Sequence, residues 1–163
     1  MRDIPDLLDG LKRSRRLLGT FVQTIPGEAI DRRRNADCWT IGEHVSHLAQ
    51  VQPMLLERLE RFRDEDHPEF VPFIPGQGED EAERPAPRPI DLALDQFGRH
   101  RDRQVALLTA AREDIWAKKG SHPEYKRYST YILVRHILMH DHWHMYRMEE
   151  LWLTRDAYLT KVE

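Results

Sequence analysis

The chain has a single cysteine, Cys38, so no disulfide can form within it; beside Trp39 that thiol reads as a small packing residue rather than a nucleophile. It lacks any run close to the roughly 18 apolar residues of a membrane-spanning helix, because Arg or Glu interrupts every apolar stretch. It lacks a charge excess: the net charge is −3 and the pI is near 6.3, which gives no general attraction to nucleic acid. The opening residues Met1 to Pro5 carry no apolar leader segment, and with the lone cysteine this leads to the expectation of a cytoplasmic protein. No alternating strand pattern and no internal repeat is visible. What is present is a chain of 163 residues, 40% apolar and 33% charged, long enough for one domain over 1–163 with its own core.

Four segments carry helical periodicity. In the first, Ile4, Leu7, Leu8, Leu11, Leu18, Phe21, Val22 and Ile25 recur at spacings of three, four and seven, between a start at Asp3 and Pro5 and a stop at Pro26 and Gly27. The triple arginine Arg32 to Arg34 that follows reads as a solvated connection. The second helix opens at Thr40, because Thr40 and Glu43 have the spacing of a capping box, and its stripe runs through Val45, Leu48, Val51, Leu55, Leu59 and Phe62, with Pro53 kinking or loosening it. The third follows Pro89 and carries Ile90, Phe97, Val105, Leu108 and Ile115 up to Trp116. The fourth begins near Ser129 and extends through Val134, Ile137, Leu138, Met148 and Leu151 to Trp152. Between the second and third, residues 67–88 hold five prolines and an acidic run from Glu79 to Glu83; they read as a crossover with partial disorder, or as a functional lid. The pattern predicts an all-α, antiparallel four-helix bundle with a long crossover between helices 2 and 3.

Four of the nine histidines fall within residues 136–144, and His136, His140 and His144 recur every fourth residue on one helix face. An i, i+4 pair of neutral imidazoles can close on one divalent ion, but a site that holds a metal and still does chemistry usually needs a third protein ligand and an open position. The other helical histidines are His44 and His47, in the first turns of the second helix; His47, beside Leu48 and farther from the cap, is the preferred third ligand. His136 reads as an outer or surface residue, His142 points to another face, and His67, His100 and His122 lie beside proline or charged residues and read as solvated. No Glu-x-x-His occurs, which removes a di-iron carboxylate bundle. His140-Asp141-x-x-His144 differs from the zincin motif by one methylene, so Asp141 is a candidate general base with a longer reach.

The stretch from Trp39 through Glu43 to His47 and Leu48 resembles the W-s-x-x-E-x-x-x-H-L segment of DinB/YfiT-like proteins, and Val134 to His144 is similar to their later H-x-x-x-H helix. The resemblance covers the order of all four helices. It implies a bundle with a long crossover holding one divalent metal ion per chain, commonly nickel or zinc, through His47, His140 and His144, and it implies a homodimer. It points to two activities on a small-molecule substrate: hydrolysis by activated water, and transfer using a low-molecular-weight thiol, which would make the protein a metal-dependent hydrolase or a thiol-dependent S-transferase. The alternative is a non-catalytic metal-binding or stress-response bundle that acts through association. After the last ligand many relatives have Gly-Gln, where this chain has Tyr146 and Arg147; Trp143 stands where relatives often have histidine. Glu43, Asp141 and Arg147 are the catalytic candidates, and Tyr146 and Arg147 the candidates for cofactor or substrate contact, with no nucleic-acid or membrane partner expected.

Overall fold

A computed structural model describes residues 2–72 and 86–160. Helix α1, Ile4–Thr24, stops where Ile25 turns extended ahead of Pro26, whose ring disfavours helix in the residue before it. A single turn, α2 (Gly27–Ile30), precedes α3, Ile41–Gln50. The capping box expected at its start is present: Thr40 Oγ1 accepts from the Glu43 amide at 3.1 Å, and the Glu43 carboxylate accepts from the Thr40 amide at 2.6 Å. The expected loosening at Pro53 is a one-residue interruption at Val51, whose dihedrals stay helical, with α3 ending at Gln50 and α4 running from Gln52 to Asp64. Pro53 has no N–H for the Ala49 carbonyl, and Gln96 Nε2 donates to that carbonyl instead at 3.2 Å, stapling the interruption to the next helix.

Helix α5, Ile90–Ala110, is shorter than expected. Ala111 turns extended, and Ile115 and Trp116 reach the core from a separate 3₁₀ turn, Glu113–Ala117, rather than from the same helix. A two-residue hairpin follows, β1 (Lys119–Gly120) against β2 (Tyr128–Ser129), and strand-like pairing this short left no periodic signal to read. Gly120 lies against the Pro68 carbonyl oxygen so closely that a Cβ would come within 2.6 Å of it. Helix α6, Thr130–Leu153, is capped by Ser129, whose hydroxyl accepts from the Ile132 amide, and a last 3₁₀ turn spans Asp156–Tyr158. Of the 67–88 crossover, residues 73–85 lie outside the described residues.

The expected all-α bundle with one long crossover is the observed fold. Contacts along the helices give their directions. His44 meets His144 and His47 meets His140, so α3 and α6 are antiparallel; Ser14 meets Arg101, Arg15 meets Asp102, and Leu18 and Leu11 share clusters with Phe97 and Leu108 respectively, so α1 and α5 are antiparallel. Ser46 meets Arg88, Ala49 meets Gln96 and Gln52 meets Gln104, so α3–α4 and α5 run parallel. Parallel neighbours cannot be joined by a tight turn, which is why the connection between them is the long one.

Two apolar clusters fill the interior. One gathers Leu7, Leu11, Leu55, Leu59, Phe62, Leu133 and Ile137; the other gathers Leu18, Val22, Val45, Leu48, Phe97, Met148 and Leu151. Between them lies a buried polar layer in which Arg101 donates to both oxygens of Asp141, at 2.6 and 3.1 Å, while Ser14 donates to Asp141 at 2.8 Å and Gln52 accepts from Gln104 at 3.0 Å. The triple arginine is less solvated than expected: Arg33 pairs with Glu43 at 2.5 Å, and Arg34 binds Asp156 and the Thr154 carbonyl, fastening the loop to α3 and to the C-terminal turn. Among the described residues no helix is long and apolar enough to cross a membrane.

Candidate metal centre

The interruption after α3 and the cap before it set the register of one short helix against the middle of α6, level with the polar layer. There His47, His140 and His144 each present one ring nitrogen, and these three atoms all lie within 4.8 Å of one another. The Nε2 atoms of His47 and His140 are 3.2 Å apart, as are those of His140 and His144. Two nitrogens bound tetrahedrally to a zinc-like ion at about 2.0–2.1 Å would be separated by about 3.3–3.4 Å, so the donor types and these two separations fit a divalent ion. No fourth His, Cys, Asp or Glu joins the group among the described residues.

The surroundings keep these rings neutral. Burial lowers His44 and His47 to a pKa of about 3 and His140 to about 4, and it lowers His144 furthest of all, with the neighbouring rings acting in the same direction. At neutral pH all four therefore hold lone pairs rather than a second proton. His44 is completely buried, with its Nδ1 2.8 Å from Nδ1 of His144. Nδ1 of His144 thus has a partner behind the ring, and Nε2 is left for the cluster in front. Trp39 closes this end: its ring stacks on His144 at 6.0 Å and packs against His44 and His47, each at 5.2 Å.

The other side of His47 and His140 opens into a cavity of about 240 Å³. Val51, Met54 and Leu55 form an apolar wall, while Arg58, His122, Tyr125, Tyr128 and His136 supply the polar one. His136 stacks on His140 with centroids 5.9 Å apart and shares a hydrogen bond with the Tyr125 hydroxyl at 2.9 Å. His122, expected to be solvated, is only 6% exposed, packed between Tyr125 and Tyr128 where the 121–127 segment folds back between the hairpin strands. Burial, with Arg58 nearby, lowers the pKa of both His122 and His136.

The remaining residues picked out on sequence lie elsewhere. The Glu43 carboxylate is engaged by the Thr40 amide and Arg33. Asp141 is 1% exposed and faces Arg101 and Ser14, on the side of α6 turned from the three nitrogens. Arg147 is buried, pairs with Glu150 and donates to the Thr160 carbonyl; its charge helps to lower His44 and His144 from behind. Tyr146 is 61% exposed. None of the four lines the cavity beside His47 and His140. The polar cavity wall escaped sequence reading because it comes from a short irregular segment. Its one trace is an imidazole or phenol at every third position, His122, Tyr125 and Tyr128.

Comparison with known proteins matches residues 10–153 to the DinB superfamily. A solved structure, described as "YfiT from Bacillus subtilis is a probable metal-dependent hydrolase with an unusual four-helix bundle topology", superposes with a TM-score of 0.76 at 18% identity, covering 90% of this chain and 84% of the other. No curated protein matches significantly.

Proposed function

Because this chain belongs to the DinB superfamily and brings three neutral imidazoles together, two of them lining a cavity, we propose that it is a metal-dependent enzyme, most simply a hydrolase of a small molecule. His47, His140 and His144 hold one divalent ion, nickel or zinc by resemblance to the family. A divalent ion in such a site supplies Lewis acidity: it brings the pKa of a coordinated water from about 15.7 toward about 7, or holds a thiol as thiolate. With Nε2 of His144 on the ion, its Nδ1 carries the hydrogen and donates to Nδ1 of His44 2.8 Å away, which holds that tautomer in place. Trp39 excludes water from the back of the rings, so access is from the cavity side. There His136 and the Tyr125 hydroxyl share one hydrogen at 2.9 Å, within reach of a molecule resting against His140.

The observation that carries this reading is the pair of 3.2 Å separations between Nε2 atoms beside an open cavity. A purely structural site would be closed by a fourth protein ligand, and the described residues offer none in the group. The likeness to a protein described as a probable metal-dependent hydrolase supports the same direction. The test is metal content of untagged protein prepared without chelator, beside His47→Ala, His140→Ala and His144→Ala. About one ion per chain in the parent, lost in each variant, is expected, together with metal-dependent turnover in a panel of ester, amide and thiol-transfer substrates. Failure of the parent to take up nickel or zinc would overturn the proposal, and turnover only with an added thiol would select transfer over hydrolysis.

A further inference from the structure

The cavity contains a cation that the metal site does not explain. Arg58, on α4, is half-buried on the cavity wall, and no carboxylate lies within 4.0 Å of its guanidinium among the described residues, whereas the fully buried Arg101 and Arg147 both have acidic partners. Its Nη2 donates to the Val71 carbonyl at 2.6 Å, and the guanidinium carbon stands 5.7 Å from the centre of the Phe70 ring. These contacts hold the head group in place without neutralising it. Its charge acts on four residues of the cavity wall: it lowers His122 and His136 and offsets part of the burial effect on Tyr125 and Tyr128. The one acid on the lining, Glu124, has a side chain 58% exposed and faces His122 at 3.9 Å rather than Arg58. A half-buried guanidinium with no carboxylate partner among the described residues, flanked by phenol hydroxyls, is a receptor for a planar anion.

We propose that the cavity is built for a small organic carboxylate, whose acid group pairs with Arg58 while its apolar body lies on Val51, Met54 and Leu55 and its far end reaches His47 and His140. The volume, about 240 Å³, equals the liquid share of about eight waters, which limits the molecule to roughly the size of a single ring with a short side chain. This substrate class rests on the proposed metal-dependent activity, but the Arg58 subsite itself does not require the ion.

The test uses phenylacetate and its neutral isostere phenylacetamide as probes, titrated calorimetrically into the metal-free and the zinc-loaded protein, with Arg58→Gln and Arg58→Lys alongside. Phenylacetate is expected to bind the metal-free parent at least tenfold more tightly than phenylacetamide. Arg58→Gln should abolish that preference without changing zinc content, and Arg58→Lys should retain part of it. Equal binding of acid and amide by the parent, or an unchanged preference in Arg58→Gln, overturns the proposal. Because the metal-free titration stands apart from zinc uptake, loss of the carboxylate subsite and loss of the metal site give different results.

Discussion

Acidifying the metal-free protein is expected to destabilise it steeply well before its carboxylates protonate. His44, His47, His140 and His144 have folded-state pKa values near or below 4, against about 6.5 in an unfolded chain. Between those limits the unfolded state binds protons that the folded state refuses, so the contribution of the neutral rings is complete above pH 6.5 and is lost as the pH falls toward 4. Going from pH 7.5 to 5.5 costs about 1.4 kcal/mol for each such group, or roughly 5 kcal/mol for the four, a large part of the roughly 5–15 kcal/mol that holds an ordinary domain together. His122 and His136, also lowered by burial, add in the same direction. Urea unfolding at pH 7.5, 6.5 and 5.5 measures this difference. A His47→Gln/His140→Gln double variant should reduce it by about half, whatever that variant does to stability at neutral pH. A parent protein that loses less than about 2 kcal/mol over this range, or a double variant with the same loss, would show that the rings are not held neutral by burial.

Two further substitutions separate the parts of the centre. His44→Leu removes the acceptor behind His144 and should weaken metal binding by about 10–100-fold in a chelator competition, whereas His44→Asn, whose Oδ1 stands where Nδ1 stood, should recover much of the loss; equal affinity in all three proteins would assign His44 to packing alone. Asp141→Asn leaves the Arg101 charge buried without its partner and should lower unfolding free energy by about 3–5 kcal/mol while metal content stays near one ion per chain, and a normal urea midpoint would show that this pair does not hold the polar layer.

Much of the bundle was legible because its signals are local. Thr40 and Glu43 are three residues apart and cap each other wherever that helix starts, and the column His136, His140, His144 shares a face in any straight helix. Pro53 and Pro26 act on their own neighbours through missing donors and crowded rings. Helix ends decided by burial were less legible. Residues 111–117 continue an apolar pattern, yet the chain leaves α5 after Ala110 so that Ile115 and Trp116 can turn inward from a separate 3₁₀ turn. Charged residues were the hardest to place, since Glu43, Asp141 and Arg147 sit one turn or less from the imidazoles in sequence and their partners, Arg33, Arg101 and Glu150, were not part of any motif.

The sequence by itself therefore determined that there would be four long helical stretches, a long crossover, a column of imidazoles on the last helix and a capped helix carrying two more. Helical period and capping depend on neighbours within about four residues, and that is the range over which a one-dimensional pattern carries information. Only the tertiary structure decided that His44 stands behind His144 while His47 stands beside it, that Asp141 turns to Arg101, and that Arg58 and the 121–128 segment wall the cavity. Each of those outcomes depends on the rotation and register of one helix against another, and that is settled by the packing of the two apolar clusters on either side of the polar layer rather than by any spacing along the chain.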